Sequence, residues 1–261
     1  MFHNKDATLV TGIILNVRDL EKMKVFYESV LGLDIIEQDH EHIQFRIGKS
    51  EHTITLKSLL DGRTPSMREA GLFHVALLLP TRSDLANFLV HVSRLNVQIG
   101  AGDHIVSEAL YLNDPEGNGI EVYCDRDSQS WNWKNGQVKM DTVELNIENL
   151  IQASSNNGWN RMPNGAVLGH LHLKTHDIEE AKPFYLNILN LDVVVGNFPK
   201  ALFMSSKDYH HHIAINTWQS HKKLENSEAS YGISRISMQV PNLKKQTLIS
   251  PEGLPFDINK Q

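Results

Sequence analysis

Disulfides, membrane spans and a positive charge surplus are all missing from this chain. A single cysteine, Cys124, leaves no partner for an internal disulfide, and its place in an apolar strand-like run reads as a packed thiol. No run approaches the roughly 18 consecutive apolar residues of a membrane-spanning helix. The opening MFHNKD, Met1 to Asp6, lacks the basic-then-apolar order of a secretory leader. These absences predict a cytoplasmic protein without a membrane partner. Lys and Arg number 25 against 31 Asp and Glu, and a net charge of −6 gives no electrostatic reason to expect nucleic acid. With 41% hydrophobic and 21% charged residues, neither a disordered nor a fibrous chain is expected. Histidine is what the chain has in excess: 14 copies, several inside strand-like runs.

One segment occurs twice. GIILNVRDLEKMKVFYESVLGLDII, Gly12 to Ile36, returns as HLHLKTHDIEEAKPFYLNILNLDVV, His170 to Val194, with nine identical positions. The shared core is Asp19, Glu21, Lys24, Phe26 and Tyr27 against Asp177, Glu179, Lys182, Phe184 and Tyr185. Such a repeat signals duplicated supersecondary units. His170 stands where the first copy has Gly12.

Each unit reads as βαβββ, an α+β class. In the first, Leu9 to Val17 forms a strand, Asp19 to Leu31 carries helical spacing, and Leu33 to Glu37, His42 to Ile47 and Thr53 to Leu59 form short strands. A second unit opens at Gly71 to Pro80, with Ser83 or Asp84 as helix N-cap and strands near Val97 to Ile99, Ile105 to Asn113 and Gly119 to Tyr123. Between the last two, D-P-E-G-N-G at Asp114 to Gly119 is a hairpin turn, because Pro pre-sets φ and Gly and Asn accept positive φ. The polar stretch 127–164, with Trp131, Trp133, Trp159 and a short helix near Ile147 to Ala153, is the linker, its tryptophans serving as covers. The third unit runs from Val167 to Thr217. The fourth is truncated: GISRISMQVP at Gly232 to Pro241 matches Gly71 to Pro80, but about one helix and its flanking strands are missing before Asp257. The expected organisation is units one and two in 1–126, the linker, and units three and four in 165–261.

Lining up the units places Gly12, His74, His170 and Arg235 at one position of the opening strands, and Thr53, Glu121, His211 and Asp257 in the closing strands. Two histidines and a carboxylate with open positions form a facial triad suited to Fe(II), although other divalent metals accept the same ligands. Pairing unit two with three collects His74, Glu121, His170 and His211. Pairing one with four then leaves Gly12, Thr53, Arg235 and Asp257 in a structural barrel, with Arg235 and Asp257 as an ion pair. Alternation sends His211 to one face and His210 and His212 to the other, and His211 is the preferred one for the cavity.

The opening-strand, helix and D-P-x-G-N-x-x-E pattern resembles the vicinal oxygen chelate superfamily, which includes glyoxalase, bleomycin-resistance and extradiol dioxygenase proteins. The strings GLFHVALLLP, GDHIVSEALYLNDPEGNGIEVY, GHLHLKTHD and YHHHIAINTW look like the two-domain, catechol 2,3-dioxygenase-like members of Gram-positive bacteria. The resemblance implies two glyoxalase-like half-barrel domains around a metal, with His74, Glu121 and His170 as ligands. It also implies His211, Tyr111 and, more loosely, His104 as catalytic residues. Better-known ring-cleaving members pair units one with two and three with four, whereas some hydroquinone-cleaving relatives resemble the two-with-three arrangement.

The function expected is an extradiol ring-cleavage dioxygenase of aromatic catabolism, using Fe(II), with Mn, Zn or Ni as other metals the site would accept. Its partners would be a small catechol- or hydroquinone-like diol and O2, and a homodimer is a further expectation. Two rival classes are a glyoxalase- or fosfomycin-resistance-type lyase or transferase, in which the metal acts only as a Lewis acid, and a metal-free ligand-binding protein.

Overall fold

A computed structural model describes residues 2–259, so the outermost residues of the expected 1–126 and 165–261 segments lie outside the described residues. The first unit is β1 (Leu9–Val17), α1 (Leu20–Ser29), β2 (Asp34–Gln38), β3 (His42–Arg46) and β4 (Thr53–Ser58). The second is β5 (Gly71–Leu78), α2 (Arg82–Arg94), β6 (Gly100–Asp103), β7 (Ser107–Asn113) and β8 (Gly119–Asp125). A connecting stretch follows, with two-residue strands β9 (Trp133–Lys134) and β10 (Gln137–Val138) and a short helix α3 (Ile147–Ile151). The third unit is β11 (Val167–Lys174), α4 (Ile178–Pro183), β12 (Asp192–Val195), β13 (Ala201–Ser205) and β14 (Ile213–Asn216). The fourth keeps only β15 (Gly232–Gln239), β16 (Gln246–Ile249) and β17 (Pro255–Ile258), with no helix between β15 and β16.

These strands make two curled sheets. One has the order β16-β17-β15-β1-β4-β3-β2, the other β12-β13-β14-β11-β5-β8-β7-β6. At the centre of each, a strand of the first half of the chain lies antiparallel to one of the second half: β1 with β15, and β5 with β11. Within a unit the first strand lies parallel to the last, as β1 with β4, β5 with β8 and β11 with β14.

The repeated helix motif earns its place by packing. Asp19 and Asp177 cap their helices, accepting from Lys22 N–H and from Glu179 and Glu180 N–H respectively. Met23, Phe26 and Tyr27 are the buried face of α1, each contributing roughly 1.5–3 kcal/mol on burial. Tyr27 donates its hydroxyl to Asp114 Oδ2 at 3.1 Å, joining the first unit's helix to the second unit's D-P-E-G turn. In the third unit Pro183 sits where α1 has Val25. Proline provides no N–H, and the helix continues as a wider π-turn over Phe184–Ile188.

Three local expectations are corrected. The α2 N-cap is Thr81, whose side chain accepts from Asp84 N–H, rather than Ser83 or Asp84. No strand forms at Val97 to Ile99; the sheet edge begins at Gly100. The linker helix stops at Ile151, short of Ala153. Trp131 packs against Phe2 and Tyr209, and Trp159 against Phe88. Cys124 is buried, and burial pushes its thiol up to about 12, so it stays protonated and inert. Among the described residues, no helix is long and apolar enough to cross a membrane.

Candidate metal centre

The site forms where β5, β8 and β11 meet. Parallel pairing sets Ala76 beside Glu121, and antiparallel pairing sets His74 beside His172 and Ala76 beside His170. Two glycines permit the close approach. A Cβ on Gly119 would lie 2.2 Å from the Phe73 carbonyl oxygen, and one on Gly169 would lie 2.0 Å from the Tyr123 hydroxyl. Gly169 sits in the register shift between Leu168 and His170, a bulge of the kind that re-aims a side chain.

His74, Glu121 and His170 each offer a ligand atom, all within 4.8 Å of one another, and all three residues are buried. His74 Nε2 lies 3.0 Å and His170 Nε2 3.3 Å from the same oxygen, Glu121 Oε2. Among the described residues neither imidazole nitrogen has a hydrogen-bond partner of good geometry, and His170 Nδ1 has none either. Two buried, unpartnered nitrogens converging on one carboxylate oxygen fit a divalent cation, which His74, Glu121 and His170 would hold.

The charge state agrees. Burial alone would raise the Glu121 carboxyl, yet the imidazoles of His170 and His74 outweigh it and hold the group well below the ordinary carboxylate range. Burial pushes His170 down to about 4, against the opposing pull of Glu121. Near neutral pH the site therefore presents an ionised carboxylate beside a neutral His170, the forms that bind metal.

His74 and Glu121 open onto a cavity of about 300 Å³. His170 lies just beneath its wall, 2% exposed, with its ring 4.0 Å from that of His211. His211, Tyr111 and His104 all line the cavity. His104 Nε2 lies 2.5 Å from the Tyr111 hydroxyl, and His104 Nδ1 lies 3.2 Å from the Asp141 carbonyl. This ties the cavity to a strap of the connecting stretch, Met140 to Thr142, whose residues line it. Burial, then the Glu121 charge, pushes the Tyr111 phenol well above its ordinary value, so it remains a donor. Burial, with His170 and His210, keeps His211 well below the ordinary imidazole range. The apolar wall is Phe73, Phe198, Phe203 and Trp218.

Of the three consecutive histidines, His211 reaches the cavity, while His210 bonds Asp125 and His212 bonds Ser205. The unit alignment does need a correction. His211 precedes β14, and Ala214 takes the place beside β11 that Glu121 takes beside β5. Thr53 shifts likewise: it lies beside Gly12, and Thr55 two residues on is the counterpart of Glu121. In the other sheet Arg235 Nη1 contacts Asp257 Oδ2 at 3.0 Å, and its Nη2 bonds Glu228.

Sequence reasoning missed His172, buried and lining the cavity, with Nε2 2.9 Å from Asn216 Nδ2. Its signal was present, since His170 and His172 are two apart in one strand and share a face. The aromatic wall and the strap come from separate elements and left no local signal.

The model of the Glyoxalase/Bleomycin resistance protein/Dioxygenase superfamily matches residues 9–122. Catechol-2,3-dioxygenase of Bacillus subtilis (strain 168) is 34% identical over 240 residues, covering 90% of this chain and 84% of the relative. Biphenyl-2,3-diol 1,2-dioxygenase 3 of Rhodococcus globerulus is 26% identical over 115 residues, 43% of this chain and 60% of that protein. Among solved structures, a Bacillus subtilis protein provisionally named as a dioxygenase superposes with a TM-score of 0.63 at 13% identity, covering 98% of this chain and 86% of its own. Glyoxalase I of Zea mays superposes with a TM-score of 0.57 at 11% identity, covering 96% of this chain and 92% of its own. These two superpositions establish the α+β glyoxalase fold.

Proposed function

The chain belongs to the glyoxalase/bleomycin resistance protein/dioxygenase superfamily, and from that premise we propose that it is an Fe(II)-dependent extradiol ring-cleavage dioxygenase for a small catechol- or hydroquinone-like diol. The observation that carries this reading is the convergence of His74, Glu121 and His170 on one point at the cavity wall. These three residues would hold the ion, and when bound it supplies the redox link between diol and O2.

The remaining work falls to the chain's own side chains. His211 faces the cavity as a neutral imidazole suited to accept a diol proton. Tyr111, kept protonated, can donate a hydrogen bond to a diol oxygen. Phe73, Phe203 and Trp218 provide flat apolar surface against an aromatic ring. The metal-ligating group holds three residues and a single carboxylate, which favours a dioxygenase over a lyase with a further carboxylate ligand.

Oxygen uptake tests the proposal. Protein loaded anaerobically with Fe(II) is mixed with a panel of catechols and hydroquinones in air-saturated buffer. Uptake stoichiometric with loss of the diol is expected. Full iron loading with no uptake across the panel would refute it.

A further inference from the structure

Behind the cavity, a buried line of side chains runs from Asp125 to His211. His210 Nε2 lies 2.8 Å from Asp125 Oδ1, and His210 Nδ1 lies 2.8 Å from His211 Nδ1. The same Asp125 oxygen accepts from the Tyr209 hydroxyl at 3.3 Å, and Tyr209 is bonded in turn to Tyr123 at 2.7 Å. His210 is fully buried and its ring is held between Tyr209 and Trp131, with centroids 4.1 and 5.2 Å away.

Each bond constrains the next. A carboxylate accepts and does not donate, so His210 carries its proton on Nε2. His210 Nδ1 is then a lone pair, and the short contact to His211 requires the proton to sit on His211 Nδ1. The His211 nitrogen left to the cavity is an unprotonated Nε2. The reverse direction would require a His210 protonated on both nitrogens inside a fully buried site.

We propose that Asp125 and His210 are positioning residues that fix the tautomer of His211, so that the cavity meets a proton acceptor and not a donor. For its catalytic consequence this rests on the dioxygenase reading. A diol O–H proton passes to Nε2, the O–H bond breaks with its electron pair left on the oxygen, and the resulting imidazolium directs its Nδ1–H at His210. Asp125, 22% exposed at the far end, balances the charge that arrives.

Nitrogen-15 NMR of the full-length, metal-free protein with labelled histidine reads the tautomer directly, and loss of one signal in His211→Gln assigns it. Wild-type protein is expected to show His211 protonated at Nδ1 and bare at Nε2. Asp125→Ala is expected to give a mixture of tautomers. His210→Asn, whose side-chain oxygen can accept where Nδ1 did, should retain the wild-type pattern, while His210→Ala should not. In the Fe(II)-loaded enzyme Asp125→Ala should lower kcat about 10-fold or more with little change in KM for the diol, part of the roughly 10²–10⁴ that a positioned base supplies. A wild-type His211 protonated at Nε2, or a tautomer unmoved by both Asp125→Ala and His210→Ala, would overturn the proposal. Absence of oxygen uptake in the wild type would sink the dioxygenase reading and leave the tautomer result standing.

Discussion

Glu121 is the residue on which the site's electrostatics turn. It is a buried carboxylate whose close partners are imidazoles, an arrangement that favours metal binding. Glu121→Gln is therefore expected to lower bound metal at least tenfold, read by elemental analysis. A purely structural carboxylate would leave bound metal unchanged.

His52 makes a second prediction at this scale. Burial lowers its imidazole from 6.5 to about 4, and its Nδ1 accepts from the Leu168 N–H at 3.1 Å. Between those values the unfolded chain binds the extra proton, so stability is full above pH 6.5 and falls as the pH drops toward 4. His52→Asn keeps an acceptor for Leu168 without the titration. It should remove about 2 kcal/mol of the stability lost between pH 7 and pH 4.5, measured by urea unfolding at both values. An unchanged pH slope would contradict the assignment.

Residue identity was the most legible level. His74, Glu121 and His170 stand out because a histidine or glutamate in an apolar strand calls for a partner, and the structure brings these three together. His210 and Asp125 were less legible, since their significance lies in a bond between a loop before β14 and the end of β8.

Elements translate these identities into distances. The β5–β8 pairing aligns Glu121 with Ala76, and Gly119 lets the strands approach where any side chain would strike the Phe73 carbonyl. Gly119→Ala is expected to destabilise the fold by about 1–3 kcal/mol and to weaken metal binding in step, as checked by urea unfolding and metal titration. Helix and turn signals in the sequence were good to a few residues. The D-x-E-x-x-K-x-FY motif marks both capped helices, yet α2 starts from Thr81 because its hydroxyl, two residues ahead of Ser83, reaches the Asp84 N–H. Register was harder: a slip of two or three residues hides in any alignment of short strands, and Thr55 rather than Thr53 and Ala214 rather than His211 proved the counterparts of Glu121.

At the scale of the whole molecule, each sheet is built from both halves of the chain. Long-range strand pairing has no local signature, and from sequence it rests on how polar residues are distributed among units. Two buried contacts tie the sheets further: Tyr27 to Asp114, and Tyr185, whose hydroxyl faces Glu252 closely enough that this carboxylate, after burial, raises the phenol well above its usual value. Limited proteolysis within the Ser154–Gly158 turn should accordingly leave a nicked protein that elutes as one particle and separates only in denaturant. Elution of two fragments under native conditions would contradict the shared sheets.

The central claim is that His74, Glu121 and His170 hold one divalent cation. Anaerobic equilibrium titration of metal-free protein with Fe(II), followed by elemental analysis after desalting, measures it most directly. One ion per wild-type chain, with retention reduced at least tenfold in His74→Ala, Glu121→Gln and His170→Ala alike, is the result predicted. Undiminished retention in any one of the three, or no retention by the wild type, would contradict it.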